Sequence, residues 1–142
     1  MRVLFQDSMG TTTAMPKFRV RNRTRGTVLA TAAELAATSR QRRTGLLKHE
    51  SLEPGQGLWI VPSEGIHTFG MRFSIDVIFL DRRKKVVKVR PHMAPGCISI
   101  CLWAHSVLEL PAGAIAATST RVGDELDFEE VGETEPQSPA PS

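Results

Sequence analysis

The segment Lys17-Phe18-Arg19-Val20-Arg21 alternates polar and apolar at every step. A period of two puts cationic side chains on one face of a strand and apolar ones on the other. Basic residues continue at Arg23 and Arg25, and Arg25-Gly26 marks a turn. Thr27 to Ala30 is expected as the next strand, with Glu34 to Ala36 continuing the sheet after a short break. Thr38 or Ser39 is a good N-cap, and Arg40 to Lys48 holds helix-forming residues around Leu46 and Leu47. A short helix is expected there. Pro54-Gly55-Gln56-Gly57 ends it as a loop, Leu58 to Val61 forms a short apolar strand, and Pro62 stops that strand.

The stretch from His67 to Asp81 is the most informative. Ile66-His67-Thr68-Phe69-Gly70-Met71 precedes Ile75-Asp76-Val77-Ile78-Phe79-Leu80, a nearly continuous apolar run with β-branched and aromatic residues. Such a run predicts a strand buried on both faces. Asp81-Arg82-Arg83-Lys84 reads as a polar turn, and Val86 to Val89 returns as the hairpin partner. Strands are expected around Ile98 to Trp103 and Val107 to Leu110. Pro111-Ala112-Gly113 breaks the chain, and Val122-Gly123-Asp124 turns into a last strand, Glu125 to Val131. Many short strands with one helix predict a mostly β fold, a compact antiparallel β-sandwich or barrel-like domain with one short α-helix. Residues 1–14 lack periodicity and read as a flexible N-terminal extension, with Met15 a credible alternative start. Residues 15–131 form the single domain. Residues 132–142, rich in Pro, Ser and Glu, read as a disordered tail.

The chain has 142 residues, 41% apolar and 23% charged, which suits one folded core. It contains no run of apolar residues long enough for a membrane-spanning helix, and its first residues lack the apolar core of a signal peptide. A cytoplasmic location is the expectation. The net charge of +3 hides an asymmetry: residues 1–121 hold all 18 basic and 8 acidic residues, net +10, whereas 122–142 hold 7 acidic residues, net −7. A basic body of this kind binds anions unless the acidic end folds back and masks it. Two cysteines, Cys97 and Cys101, lie four apart. That spacing spans ~13 Å on a strand, against the ~4.4–6.8 Å between Cα atoms of a disulfide, so the two read as small apolar thiols.

Candidate chemistry is sparse. Asp76 sits at the start of an apolar strand, so its carboxylate needs backbone N–H donors, an arginine such as Arg42 or Arg72, or a catalytic use. His67, at the entrance of the same region, can shuttle protons, though a lone histidine is more often simply hydrogen-bonded. Strand alternation puts Glu109 opposite Leu108 and Leu110, as a second half-buried acid or a solvent-facing one. The histidines His49, His67, His92 and His105 show no metal-ligand spacing, and phosphate-loop, dinucleotide and nucleophile-elbow motifs are absent. No metal and no cofactor are expected. The cationic strand 17–25 could neutralise phosphates, but interleaved aromatics for stacking bases are missing. A charged edge strand also resists aggregation, the plainer use.

Arg42-x-x-Gly45-Leu46-Leu47, Pro54-Gly55-x-Gly57-Leu58, His67-Thr68-Phe69-Gly70-Met71 through Ile75-Asp76 to Asp81, Val107-Leu108-Glu109-Leu110-Pro111-Ala112-Gly113 and Gly123-Asp124 occur in this order. The series resembles the bacterial and archaeal family called domain of unknown function 192, over about residues 17–131. The resemblance implies a compact, mostly β domain with one short helix and no established reaction. Many such relatives carry an export signal or lipid anchor, which the first residues here do not resemble, so a cytoplasmic branch is the expectation. Ser74 stands where the family pattern often has Pro. The leading functional expectation is a non-catalytic binding or accessory domain. A polar pocket of Arg42, His67, Arg72, Asp76 and Glu109 would hold a small anionic ligand, the arginines on the anion and Asp76 behind them. The rivals are a hydrolase using His67 as base with Asp76 orienting it, and a nucleic-acid or protein-partner surface on strand 17–25.

Overall fold

The computed structural model describes residues 15–38, 41–42, 46 and 49–133. Nine strands and one short helix follow in order: β1 (Pro16–Asn22), β2 (Thr27–Ala36), β3 (Gln56–Ile60), β4 (Gly65–His67), β5 (Ile75–Leu80), β6 (Val86–Met93), β7 (Ile98–Ile100), β8 (Ser106–Pro111), α1 (Ala114–Thr118) and β9 (Leu126–Glu133). Seven strands form one sheet in the order β6-β5-β8-β3-β2-β1-β9, and β4 pairs with β7 in a separate small sheet. Most pairings are antiparallel, but β2 and β3 run parallel, so the large sheet is mixed. A parallel pair needs a crossover, and the segment between β2 and β3 supplies it, laying Leu46 and Leu52 on one face of the sheet.

Period-two alternation divides the core in two. On β5 and β8, Ile78, Leu80, Leu108 and Leu110 point to one face, with Phe18, Val20, Leu29 and Ile115. Ile75, Val77, Phe79 and Val107 point to the other, with Leu58, Ile60, Met71 and Cys101. All six residues of β5 are buried, as expected of a strand covered on both faces. The large sheet is not a closed barrel. Its two edges meet only at one end, where a bridge joins Lys85 to Glu125 and Val86 N donates to the Asp124 carbonyl at 2.8 Å.

Several expectations need correction. The break foreseen between Ala30 and Glu34 is absent, and β2 runs unbroken with its irregularity taken up in the register with β1. Strand β1 is interior, paired on one side with β2 and on the other with β9, so its charges do not guard an edge. Strand β9 continues past Val131 to Glu133. The Ile98 to Trp103 stretch is a strand only to Ile100, followed by a turn. The helix expected from Arg40 to Lys48 lies largely outside the described residues. Its start is described: Gln41 N donates to Thr38 Oγ1 at 3.0 Å while Thr38 N donates to Gln41 Oε1 at 3.1 Å, a reciprocal cap. The helix α1 was hidden in Ala114–Thr118, too short to show a helical period. The extension 1–14 and most of the tail 132–142 also lie outside the described residues. Both cysteines are free thiols.

Candidate functional site

The five residues expected to share a pocket are spread over both faces of the large sheet. Asp76 is fully buried on the face of Ile78 and Leu80. Its Oδ1 accepts from His92 N at 2.9 Å and its Oδ2 from Ile115 N at 2.7 Å. Gly113, the N-cap of α1, has no side chain to offer the helix's first N–H groups, and Asp76 does that work from across the core. It also ties down His92, whose φ of 50° is in the left-handed region. Of the partners open to Asp76, the structure uses backbone N–H groups, and no arginine pairs with it among the described residues.

Glu109 points to the opposite face, in register with Val77 and Leu58. It is 4% exposed, and its Oε1 has no hydrogen-bond partner. Desolvation by burial pushes its carboxyl up to about 8. Among the described residues, His49 Nδ1 and Ser99 Oγ are also buried without a hydrogen-bond partner. His67 ends β4 on the outer face of the small sheet, exposed and stacked on Phe69 with ring centroids 5.2 Å apart. Ile66, its neighbour, turns inward to the core that holds Val77. His67 and Asp76 therefore lie on opposite sides of the large sheet and do not form the pair a hydrolase would need. Arg72 is exposed. Arg42 donates through Nη1 to the carbonyls of Ala37 and Val61, tying the crossover to the end of β3.

A different group of residues forms an open groove of about 740 Å³, within the size range of small-molecule sites. Three turns build it. In the β5–β6 turn, Asp81 Oδ1 accepts from Arg83 N at 2.8 Å and Lys85 N at 2.9 Å, and Lys84 takes a φ of 64°. That turn projects Arg82 and Arg83 into solvent. Before β8, Ala104 N donates to the Cys101 carbonyl at 3.0 Å, leaving Leu102 and Trp103 at the turn's tip. These two are 70% and 81% exposed. The third turn, Pro62 to Glu64, is linked to the others: Ser63 N donates to the His105 carbonyl at 2.9 Å and His105 N to the Leu80 carbonyl at 2.7 Å. Arg82, Arg83, Trp103, His105 and Glu64 all line the groove. Among the described residues, neither Arg82 nor Arg83 has an acidic partner.

Sequence reasoning missed this group. Asp81-Arg82-Arg83-Lys84 reads only as a polar turn, and the pattern predicts a strand through Trp103. No local pattern marks Leu102-Trp103 as lying beyond that strand, which ends at Ile100.

The basic strand has a different setting. Arg19 and Arg23 pair with Glu129 and Glu125 at 3.4 and 2.6 Å, and Arg25 Nε lies 3.1 Å from Asp124 Oδ2. Arg21 faces Asp127 across the β1–β9 register. Asp124 is nearly buried and also accepts from Asn22 Nδ2 at 2.9 Å and Arg121 N at 2.9 Å. Burial pushes its carboxyl up, but these hydrogen bonds and the Arg25 charge outweigh that and hold it below its ordinary value.

No helix among the described residues is long and apolar enough to cross a membrane. Nor do the described residues gather three His, Cys, Asp or Glu side chains as a metal would require.

Residues 20–128 match the family model DUF192, described as uncharacterized ACR. A UPF0127 protein from Thermococcus sibiricus is 34% identical, over 76% of this chain and 73% of its own. Two crystal structures share the fold. One, from Sinorhizobium meliloti, is described as a "putative transcription regulator"; it has a TM-score of 0.70 at 20% identity and covers 80% of this chain and 93% of its own. The other, a protein of unknown function from Novosphingobium aromaticivorans, has a TM-score of 0.69 at 19% identity and covers 89% and 93%.

Proposed function

The chain belongs to the DUF192 family, whose description names no reaction, and we propose that it is a non-catalytic binding domain for an anionic ligand carrying a flat apolar group. One observation carries this reading: two arginines that form no ion pair among the described residues open on the same groove as an exposed tryptophan. Guanidinium groups suit phosphate or carboxylate because their donors match its oxygens in pairs. An indole face offers stacking area at low conformational cost. His105 and Glu64 also line the groove.

The anion thereby moves from the expected Arg42–Arg72 pocket to the Arg82–Arg83 turn. Asp76 and Arg42 are engaged with backbone groups of the fold, and Asp76 is sealed from solvent.

The test is calorimetric titration with phenyl phosphate, beside inorganic phosphate and benzyl alcohol. Phenyl phosphate should bind best, and Arg82→Ser/Arg83→Ser should weaken it by about tenfold or more. No binding of phenyl phosphate, or equal binding by the variant, refutes the reading.

A further inference from the structure

The groove continues into an exposed apolar face. On β7, Ser99 points inward, so Ile98 and Ile100 point out, each 56% exposed. Across the register, Ile98 faces His67 and Ile100 faces Gly65. A Cβ at Gly65 would come 3.2 Å from both Ile100 Cγ1 and the Ser99 carbonyl, so glycine lets Ile100 lie flat there. Phe69 stacks on His67, and Leu102 and Trp103 follow two and three residues after Ile100. Beside this face runs a hairpin that carries six cations and no acid from Arg82 to Arg90. Lys88 sits against the face, its Nζ donating to the Ile100 carbonyl at 2.8 Å.

We infer that this face docks on an anionic lipid bilayer, with Leu102 and Trp103 entering the headgroup–acyl boundary and Arg82 and Arg83 holding lipid phosphates. The inference rests on the proposed binding reading and names what presents the anion. Three observations favour a bilayer over an acidic peptide. The largest apolar side chains protrude at a turn tip and are not set in individual pockets, as peptide anchors would need. The free edge of β7 is capped at Ile100 by Lys88, which obstructs addition of a peptide strand. An exposed Trp beside Leu and several cations is the composition of a membrane-interface surface. Asp81 and Glu64 also lie here, but Asp81 is held by the amides of its own turn.

Flotation of the full chain with vesicles tests the inference. Phosphatidylcholine vesicles containing phosphatidylglycerol should carry the protein at low salt, and pure phosphatidylcholine vesicles should not. Arg82→Ser/Arg83→Ser should lower the partition about 25-fold, at roughly fivefold per cation. Leu102→Ser/Trp103→Ser should lower it about tenfold or more, with the melting temperature unchanged because both side chains are exposed. Brominated acyl chains should quench Trp103 fluorescence. Vesicle binding unchanged in Leu102→Ser/Trp103→Ser overturns the inference, since charge alone would then be acting. So does retention on a poly-glutamate peptide without vesicle binding. If phenyl phosphate binds and vesicles do not, the bilayer is wrong and the groove reading stands; if neither binds, both fail.

Discussion

Two stretches of this chain are rich in arginine and lysine, and the fold treats them in opposite ways. The strand from Lys17 to Arg25 is laid beside the acidic end of the chain, so Arg19, Arg23 and Arg25 each meet a carboxylate. Among the described residues the hairpin from Arg82 to Arg90 makes no ion pair, and its turn opens beside an exposed Leu-Trp pair. Cation density alone therefore says little about binding. What matters is whether the topology brings acids into ion pairs with the cations, and here the acidic end of the chain pairs with Arg19, Arg23 and Arg25. The buried acids divide in the same way: Asp124 is surrounded by donors, whereas Glu109 Oε1 has none.

The largest effect should come from breaking the partnered side. Asp124→Ala removes the acceptor shared by Asn22, Arg25 and Arg121, and should cost about 3 kcal/mol in urea denaturation. Because the Asp124 carboxyl is held below its ordinary value, its contribution is complete above the usual carboxylate range. It should be lost as pH falls through the lowered value, so wild type should weaken steeply on the acid side and Asp124→Asn less steeply.

Glu109 should behave with the opposite sign. Burial pushes its carboxyl up to about 8 when folded, against 4.5 for an ordinary exposed glutamate. Between those values the native state holds a proton that the unfolded state has lost, so stability should fall as pH rises through that window. Glu109→Gln should flatten this slope and stabilise the protein by about 2 kcal/mol at alkaline pH. Urea midpoints measured across the window check both statements, and an unchanged slope in the variant would remove the assigned burial cost.

The exposed β1–β9 pairs should be worth less. Glu129→Ala should cost about 0.5 kcal/mol and Arg23→Ala about the same, both shrinking in high salt. On the unpartnered side, Arg82→Ser/Arg83→Ser should leave the melting temperature unchanged while weakening phenyl phosphate binding. A double variant that loses stability instead would mean the turn arginines are structural.

Much of the fold was legible because strand signals are local. Alternation announced Lys17–Arg21, a continuous apolar run announced Ile75–Leu80, and the resemblance covered nearly the same span as the matched family model. Two things were not local. The parallel β2–β3 pairing depends on where a crossover lies in space, which no pattern within β2 or β3 records. The helix Ala114–Thr118 is held at its start by Asp76, 39 residues away in sequence. The candidate site was less legible for the same reason. The need of Asp76 for donors followed from its place on an apolar strand, but periodicity cannot tell an arginine partner from a backbone amide. Glu109 and Asp76 looked like pocket companions, although β5 and β8 turn them to opposite faces. Arg82, Arg83 and Trp103 come from turns about twenty residues apart in the sequence, and only the β5–β8 pairing brings those turns together.

The central claim is that the unpartnered turn arginines and Trp103 act on one ligand. The chain has two tryptophans in different settings: Trp59 is partly buried against the core and donates its Nε1–H to Ser106 Oγ at 3.0 Å, whereas Trp103 is 81% exposed. Their two indole N–H signals in a ¹H–¹⁵N spectrum therefore report the core and the groove separately. Titration with phenyl phosphate should move the Trp103 signal saturably, leave the Trp59 signal in place, and lose its effect in Arg82→Ser/Arg83→Ser. A Trp103 signal that stays still, or one that moves equally in the double variant, would contradict the account.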